Sequence, residues 1–244
     1  MYMQIIRGFD SIPNINNTVA TVGSYDGVHA GHQILVEHVV KRAKERGGVS
    51  IVLTFEPHPR ITLGQDLDLK LLTTLDEKVL LLERLGVDYL LVIPFDRDFS
   101  RLSHEQFIEH YLIEKLGVEE LVVGYNHHFG HNKSGDYGYL TANHPQMTIT
   151  RVEQQLVETR KVSSTVIRSL LEVGDIGGAT QLLGHTYIIM GQSDEKGIVV
   201  TDKYKLLPPI GRYPAIVNGK HSEVEVLPEG ICCQISNAKI VVEL

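Results

Sequence analysis

The chain has 244 residues, 43% of them hydrophobic, and a formal net charge of −7, enough for one large domain or for a medium domain with a small one behind it. The excess of acid and the lack of any Lys/Arg-rich run offer no track for a phosphate backbone, which excludes nucleic acid as the main partner. No apolar run approaches the roughly 20 residues that span a bilayer and no leader pattern is present, so a cytoplasmic protein without membrane association is expected.

In chain order, the apolar runs TVATVG, VSIVLTF, DYLLVIP, ELVVG and QMTITRV predict strands ending near Gly23, Phe55, Pro94, Gly124 and Val152. Between the first two lies a predicted helix over 33–46, with Leu35, Val39 and Ala43 four apart and Gly47 and Gly48 as its stop. Two further helices announce their starts with capping boxes, Thr74 with Glu77 and Ser103 with Gln106. Strand and helix in regular succession imply a parallel sheet, hence an α/β domain of Rossmann-like fold.

After about residue 185 the texture changes. TYIIMG, GIVVT, YPAIV, SEVEVL, ICCQI and KIVVEL are short runs separated by Gly, Pro, Asn and Asp, which reads as a small antiparallel sheet or partial barrel. The expected organisation is therefore an α/β domain over 1–185 and a reduced, β-rich C-terminal domain over 186–244. The two cysteines, Cys232 and Cys233, are adjacent; that spacing suits neither an unstrained disulfide nor a structural zinc site, and they are expected to pack as small apolar groups.

The chemistry concentrates in GSYDGVHAGH, residues 23–32. In an open α/β sheet the loops beyond the carboxyl ends of the strands gather the ligand. Gly23, Gly27 and Gly31 permit tight turns there, Ser24 adds a hydroxyl, and the helix that follows presents free N–H groups suited to phosphate. His29 and His32 could donate hydrogen bonds to phosphoryl oxygens as charge builds on them. On this phrase alone a turn residue and a helix-start residue explain the two histidines equally well. Metal ligation is disfavoured, since no cysteine or carboxylate pair completes a site. Neither GxxxxGK[ST] nor GxGxxG occurs.

A second anion site is suggested by KVSSTVIRSLL, where Ser163, Ser164 and Thr165 enter a helix with Arg168 one turn inside. Its plain alternative is an ordinary Ser/Thr cap followed by a solvated arginine.

GSYDGVHAGH, TFEPHPR, VVGYNHHFG, KVSSTVIR and GDIGGATQLLGHTY together resemble, in order and spacing, the prokaryotic FAD synthetase family, whose members often carry a riboflavin kinase behind an FMN adenylyltransferase domain. The resemblance covers residues 19–187. It implies a nucleotidyltransferase that converts ATP and FMN to FAD and pyrophosphate, normally with Mg2+ accompanying ATP and no metal site built from protein side chains. By the same resemblance, His29 and His32 stabilise the α-phosphate during in-line attack. Gly23, Ser24, Ser163, Ser164, Thr165 and Arg168 hold ATP, and Arg168 belongs with the two histidines in the catalytic set. Phe55, Pro57, Pro59, Asn126 and Phe129 form the flavin side, although Phe55 at a strand end could equally be core. His58, between two prolines, reads as a turn residue.

Two departures stand out. His127 follows Asn126 where the family usually has Phe, and with His128 and His131 it makes a histidine-rich loop; altered flavin affinity is a better expectation than transition-metal binding. The tail lacks the glycine-led PTAN turn of the kinase module, and Tyr213, Pro214 and Asn218 do not restore it. The sequence also stops at Leu244, before the place where the family has its catalytic glutamate. Loss of riboflavin kinase activity is therefore expected, with the tail covering apolar surface or mediating self-association. Two rival functions remain: a related HxGH nucleotidyltransferase for a different phosphorylated acceptor, and a catalytically weak flavin-nucleotide-binding regulator.

Overall fold

Six strands build the larger sheet, five of them from the apolar runs of the sequence: β2 Thr18–Val22, β3 Ser50–Glu56, β4 Tyr89–Pro94, β5 Val118–Gly124 and β6 Thr148–Val152. The sixth, β1 Gln4–Arg7, pairs with β4 at the sheet edge. Its four residues bury only Ile6, too little alternation to announce a strand. All pairings are parallel and the order is β1-β4-β3-β2-β5-β6. The chain thus runs from β2 outward to one side through β3 and β4, then returns to β2's other side for β5. The loop after β2 leaves the sheet at that reversal, the place where open α/β sheets hold ligands.

The computed structural model describes residues 2–66, 68–125, 137–153, 156–157 and 160–244. It comprises two compact units. The first, which contains the sheet, is Met1–Tyr25, His32–Leu67 and Leu81–Gln154; the second is Asp26–Gly31, Asp68–Leu80 and Gln155–Leu244. The change of texture near residue 185 coincides with the approach to the first barrel strand, whereas by packing the second unit also takes in two short pieces of the N-terminal sequence.

Helix α1, Ala30–Glu45, begins three residues before its expected start, so His32 lies in its first turn rather than in a loop. Leu35, Val36, Val39, Val40 and Ala43 form its buried stripe. It stops at Gly47, which is left-handed at φ +62°, and at Gly48, where a side chain would collide with the Asn17 carbonyl. Pro59–Thr62 forms the short α2 and Leu75–Arg84 forms α3. Helix α4, His104–Gln106, continues through Phe107–Lys115 with the wider π geometry, and α5 is Tyr137–Asn143. Both expected capping boxes are present. Thr74 N–H donates to Glu77 Oε2 at 2.8 Å and Glu77 N–H to Thr74 Oγ1 at 3.3 Å, while Ser103 and Gln106 exchange the same bonds at 3.0 Å. Ala20, Ile51, Leu53, Leu91 and Ile93 are fully buried in the sheet's core, the four larger side chains each contributing about 1.5–3 kcal/mol relative to exposure.

In the second unit a two-stranded ribbon, β7 Leu156–Val157 with β8 Arg160–Lys161, precedes α6 Ser164–Glu172 and α7 Ile176–Leu183. Six antiparallel strands follow: β9 Ile188–Ser193, β10 Ile198–Val200, β11 Gly211–Val217, β12 Lys220–Leu227, β13 Gly230–Cys232 and β14 Lys239–Glu243. They close completely, in the order β10-β13-β12-β11-β14-β9, because β10 pairs back onto β9. The expected small antiparallel sheet or partial barrel is thus a closed barrel, and closure leaves no open edge. Asn218 and Gly219 both take positive φ in the β11–β12 hairpin, as a two-residue Asn-Gly turn requires. Ile167 and Leu171 of α6, Leu182 and Leu183 of α7, Leu72 and the barrel interior share one core, which also includes Cys233. Neither cysteine is in a disulfide. No helix among the described residues is long and apolar enough to cross a membrane.

Candidate active site

Within the sheet unit, the chain leaving β2 is shaped by Tyr25. Its buried hydroxyl is 2.7 Å from Thr21 Oγ1, and burial pushes its pKa above the ordinary phenol value. A side chain at position 23 would approach the Tyr25 ring to 3.2 Å, which explains Gly23. Thr54 Oγ1 donates to the Ser24 carbonyl at 3.3 Å, and the His32 ring meets Tyr25 edge-on with centroids 5.1 Å apart.

The next residues belong to the second unit, where Asp26 is the hub. Only 4% exposed, it accepts from the Leu72 and Thr73 N–H groups on Oδ1, at 2.7 and 3.1 Å, and from Arg168 Nη2 on Oδ2 at 2.8 Å. Arg168 Nε donates to the Lys70 carbonyl at 2.6 Å. The guanidinium is therefore not a solvated helix-surface charge. Its remaining amino nitrogen, Nη1, takes part in neither bond. Ser164 Oγ donates to the Asp26 carbonyl at 2.8 Å, a bond that pins the loop. Ser163 caps α6 by accepting from Val166 N–H at 3.4 Å, and Thr165 is exposed beside it.

Gly27 carries the turn. Its φ is +86°, a side chain there would come within 2.8 Å of Leu72 Cδ1, and its N–H donates to Thr73 Oγ1 at 2.9 Å. Its carbonyl lies 2.9 Å from His185 Nε2. This turn delivers His29, 7% exposed. Burial lowers the His29 pKa from 6.5 to about 4, Asp26 opposing the shift and His185 adding to it. At neutral pH the ring is uncharged, with one N–H to donate and one nitrogen to accept. The Asp26–Arg168 bond thus joins the loop of the HAGH phrase to the helix of the SSTVIR phrase across 142 residues of sequence.

Of the residues expected on the flavin side, Phe55, Pro57 and Pro59 lie in the sheet unit. Phe55 is half-buried at the end of β3, with Phe95 and Phe99 rings 5.4 and 6.2 Å from it. Pro57 is exposed after a cis Glu56–Pro57 bond. Pro59 is the first residue of α2, and His58 caps that helix by accepting from Arg60 N–H at 3.2 Å, in keeping with a turn residue. A cavity of about 420 Å3 near the ends of β1 and β4 is lined by Phe9, Asp10, Asp96, Phe99 and Tyr111 among others, and by none of the three flavin-side residues. Asn126, Phe129 and the histidines at 127, 128 and 131 lie outside the described residues.

Residues 11–166 match the model of the FAD synthetase family. The chain belongs to this family. A bifunctional riboflavin kinase/FMN adenylyltransferase of Listeria monocytogenes is 34% identical over 211 residues, covering 81% of this chain and 67% of the relative. The protein of the same name from Bacillus subtilis is 34% identical, with 83% and 69% covered, and that from Escherichia coli is 32% identical, with 93% and 74% covered. A solved structure described as a macrolide-efflux protein from Streptococcus pneumoniae superposes with a TM-score of 0.84 at 22% identity, covering 100% of this chain and 89% of its own. At that identity the likeness is one of fold.

Three participants escape a reading of the family motifs residue by residue. Asp26 stands inside the glycine-rich phrase, but only its bonds to Leu72, Thr73 and Arg168 reveal its task. His185 closes the last motif and reaches back to Gly27. Glu77, legible as a capping residue, also pairs with the fully buried Lys205 at 2.7 Å and accepts from Met190 N–H at 2.8 Å. Burial lowers the Lys205 pKa and Glu77 works against that shift.

Proposed function

We propose that the protein is an FMN adenylyltransferase. A phosphate oxygen of FMN attacks the α-phosphorus of ATP, a new P–O–P bond forms, the α–β bridge breaks, and pyrophosphate leaves with the bonding electron pair. Little covalent work falls to the protein in such a transfer; positioning and charge stabilisation supply the catalysis.

In this reading His29, neutral at physiological pH, donates its N–H to an α-phosphoryl oxygen as charge builds there, and His32 serves as a second donor. A neutral donor suits the task, since it enters a buried position without the cost of a buried cation. Nη1 of Arg168, the Ser163 and Thr165 hydroxyls and the first N–H groups of α6 take the β- and γ-phosphates, with Gly23 and Ser24 passing close to the nucleotide. Ser164 contributes by holding the Asp26 carbonyl. Phe55, Pro57, Pro59, Asn126 and Phe129 make the flavin side.

Mg2+ fits this site as an ion brought by ATP. Both Asp26 oxygens are occupied by Arg168 and by two backbone N–H groups, and the described residues contain no group of three or more His, Cys, Asp or Glu that could hold a metal. Bound to phosphate oxygens and water, the ion would offset the charge of the leaving pyrophosphate.

The observation that supports the reading most directly is the Asp26–Arg168 pair at 2.8 Å, which bonds a residue of GSYDGVHAGH to one of KVSSTVIR, the two phrases proposed to bind phosphate. The tail is proposed to lack riboflavin kinase activity because the PTAN turn is missing from its sequence. Equilibrium titration with FMN and with pantetheine phosphate tests the acceptor. Preference for FMN is expected, and preference for pantetheine phosphate would reassign the chain to another branch of HxGH nucleotidyltransferases.

A further inference from the structure

Asp26 and Arg168 are steadied by the segment Lys70–Thr73, through the N–H groups of Leu72 and Thr73 and the carbonyl of Lys70. This segment's neighbour is the stretch that crosses from β10 to β11: Leu71 pairs with Lys205 as a parallel bridge, Leu71 N–H donates to the Tyr204 carbonyl at 2.6 Å, and Leu206 N–H donates to the Leu71 carbonyl at 2.9 Å. One edge of the segment is thus bonded to Asp26 and Arg168, the other to the barrel's own chain.

Lys205 fastens that junction. Its ammonium, fully buried, directs its donors to the Leu72 carbonyl at 2.6 Å, to Glu77 Oε2 at 2.7 Å and to the Ile188 carbonyl at 2.7 Å. All three protons are used. The ammonium also stands 4.2 Å from the centre of the Tyr187 ring, whose hydroxyl donates to the Leu206 carbonyl at 2.8 Å. A buried ion pair adds little stability that a well-packed apolar pair of the same volume would not. What the lysine provides that an apolar side chain cannot is a fixed position for Leu72, Glu77 and Ile188 with respect to one another.

We propose that the C-terminal barrel is a working part of the ATP side of the site, with Lys205 as a positioning residue that holds Lys70–Thr73 in register against Asp26 and Arg168. The proposal rests on the adenylyl-transfer reading above. It assigns the barrel a task in adenylyl transfer, where a covering role would affect stability alone.

The test uses the full chain and three variants: Lys205→Met, the neutral pair Glu77→Gln with Lys205→Met, and Asp202→Ala. Asp202 is exposed and its carboxylate accepts from Tyr204 N–H at 2.7 Å, so its loss loosens the bridging stretch without touching the buried pair. Thermal melting, kcat and KM for ATP, and calorimetric affinities for a non-hydrolysable ATP analogue and for FMN are measured. Lys205→Met is expected to lower kcat/KM for ATP by about tenfold or more with FMN affinity unchanged. The neutral pair is expected to recover part of the melting temperature, because a glutamine at position 77 can accept from only one of the Thr74 and Met190 N–H groups, and not to recover kcat/KM for ATP; Asp202→Ala is expected to weaken the ATP analogue by roughly two- to threefold. Wild-type ATP parameters in any folded variant, or equal weakening of ATP and FMN, would overturn the proposal. If both Lys205 variants fail to fold, Asp202→Ala decides. If the wild-type protein forms no FAD, the adenylyl-transfer reading fails, while the analogue affinities still decide this one.

Discussion

The two compact units treat buried carboxylates in contrasting ways. In the sheet unit Glu120, on β5, accepts from Arg42 of α1 at 2.9 Å and from Thr150 of β6 at 2.8 Å, with Arg46 3.4 Å away. That cluster fastens one helix to strands already held by apolar packing. In the second unit Asp26 and Glu77 fasten short pieces of chain, Asp26–Gly31 and Asp68–Leu80, whose buried apolar contribution comes from Val28, Leu69 and Leu72. Such pieces bury too little apolar surface to fix themselves, so polar bonds set their geometry. The proposed phosphate chemistry sits on these pieces and should be correspondingly sensitive to single polar changes.

The sharpest contrast is expected from removing one cation in each unit. Lys205→Met leaves the buried Glu77 carboxylate without a countercharge and should cost about 3–5 kcal/mol in urea unfolding, part of it recovered by adding Glu77→Gln, whose single acceptor oxygen keeps one of the two bonds from Thr74 and Met190 N–H. Arg42→Met should cost clearly less, because Arg46 and Thr150 remain on Glu120. Equal losses would erase the distinction between the units.

A second contrast comes from pH. Folded His29 titrates at about 4 against an ordinary 6.5, so between those values the unfolded chain binds the additional proton. Stability is then present in full above pH 6.5 and is lost as pH falls toward 4, by on the order of 3 kcal/mol. His29→Asn should flatten this acid limb in urea titrations run across the range. An unchanged limb would show that His29 is not buried as described.

The same residue should matter to catalysis. His29→Ala is expected to cut FAD formation by about 10²-fold with a smaller effect on FMN binding. On the sheet side Phe55→Ala should raise the apparent constant for FMN by roughly tenfold and leave that for ATP nearly unchanged. The opposite pairing would exchange the two subsites.

What could be read in the sequence was what is local. Strands β2 to β6 end where their apolar runs end, and Thr74, Glu77, Ser103 and Gln106 form the bonds that their spacing implies. What could not be read was what depends on distant partners. β1 is defined by its pairing with β4, and the barrel closes through the pairings of β9 with β14 and of β10 with β13, which are far apart in sequence. Glu77 explains itself as a cap on one oxygen, yet its partner Lys205 is 128 positions away. Arg168, read as either part of an anion site or a solvated arginine, shows its fixed position only once Asp26 and the Lys70 carbonyl are seen beside it.

The central claim is adenylyl transfer to FMN by a protein that does not make its own FMN. The purified protein incubated with ATP and Mg2+, and with either FMN or riboflavin, can be followed by chromatography of the flavins. The account predicts that FMN is converted to FAD with one pyrophosphate released per FAD, and that riboflavin stays unchanged against a control without enzyme. Failure to form FAD from FMN, or accumulation of FMN from riboflavin, would contradict it.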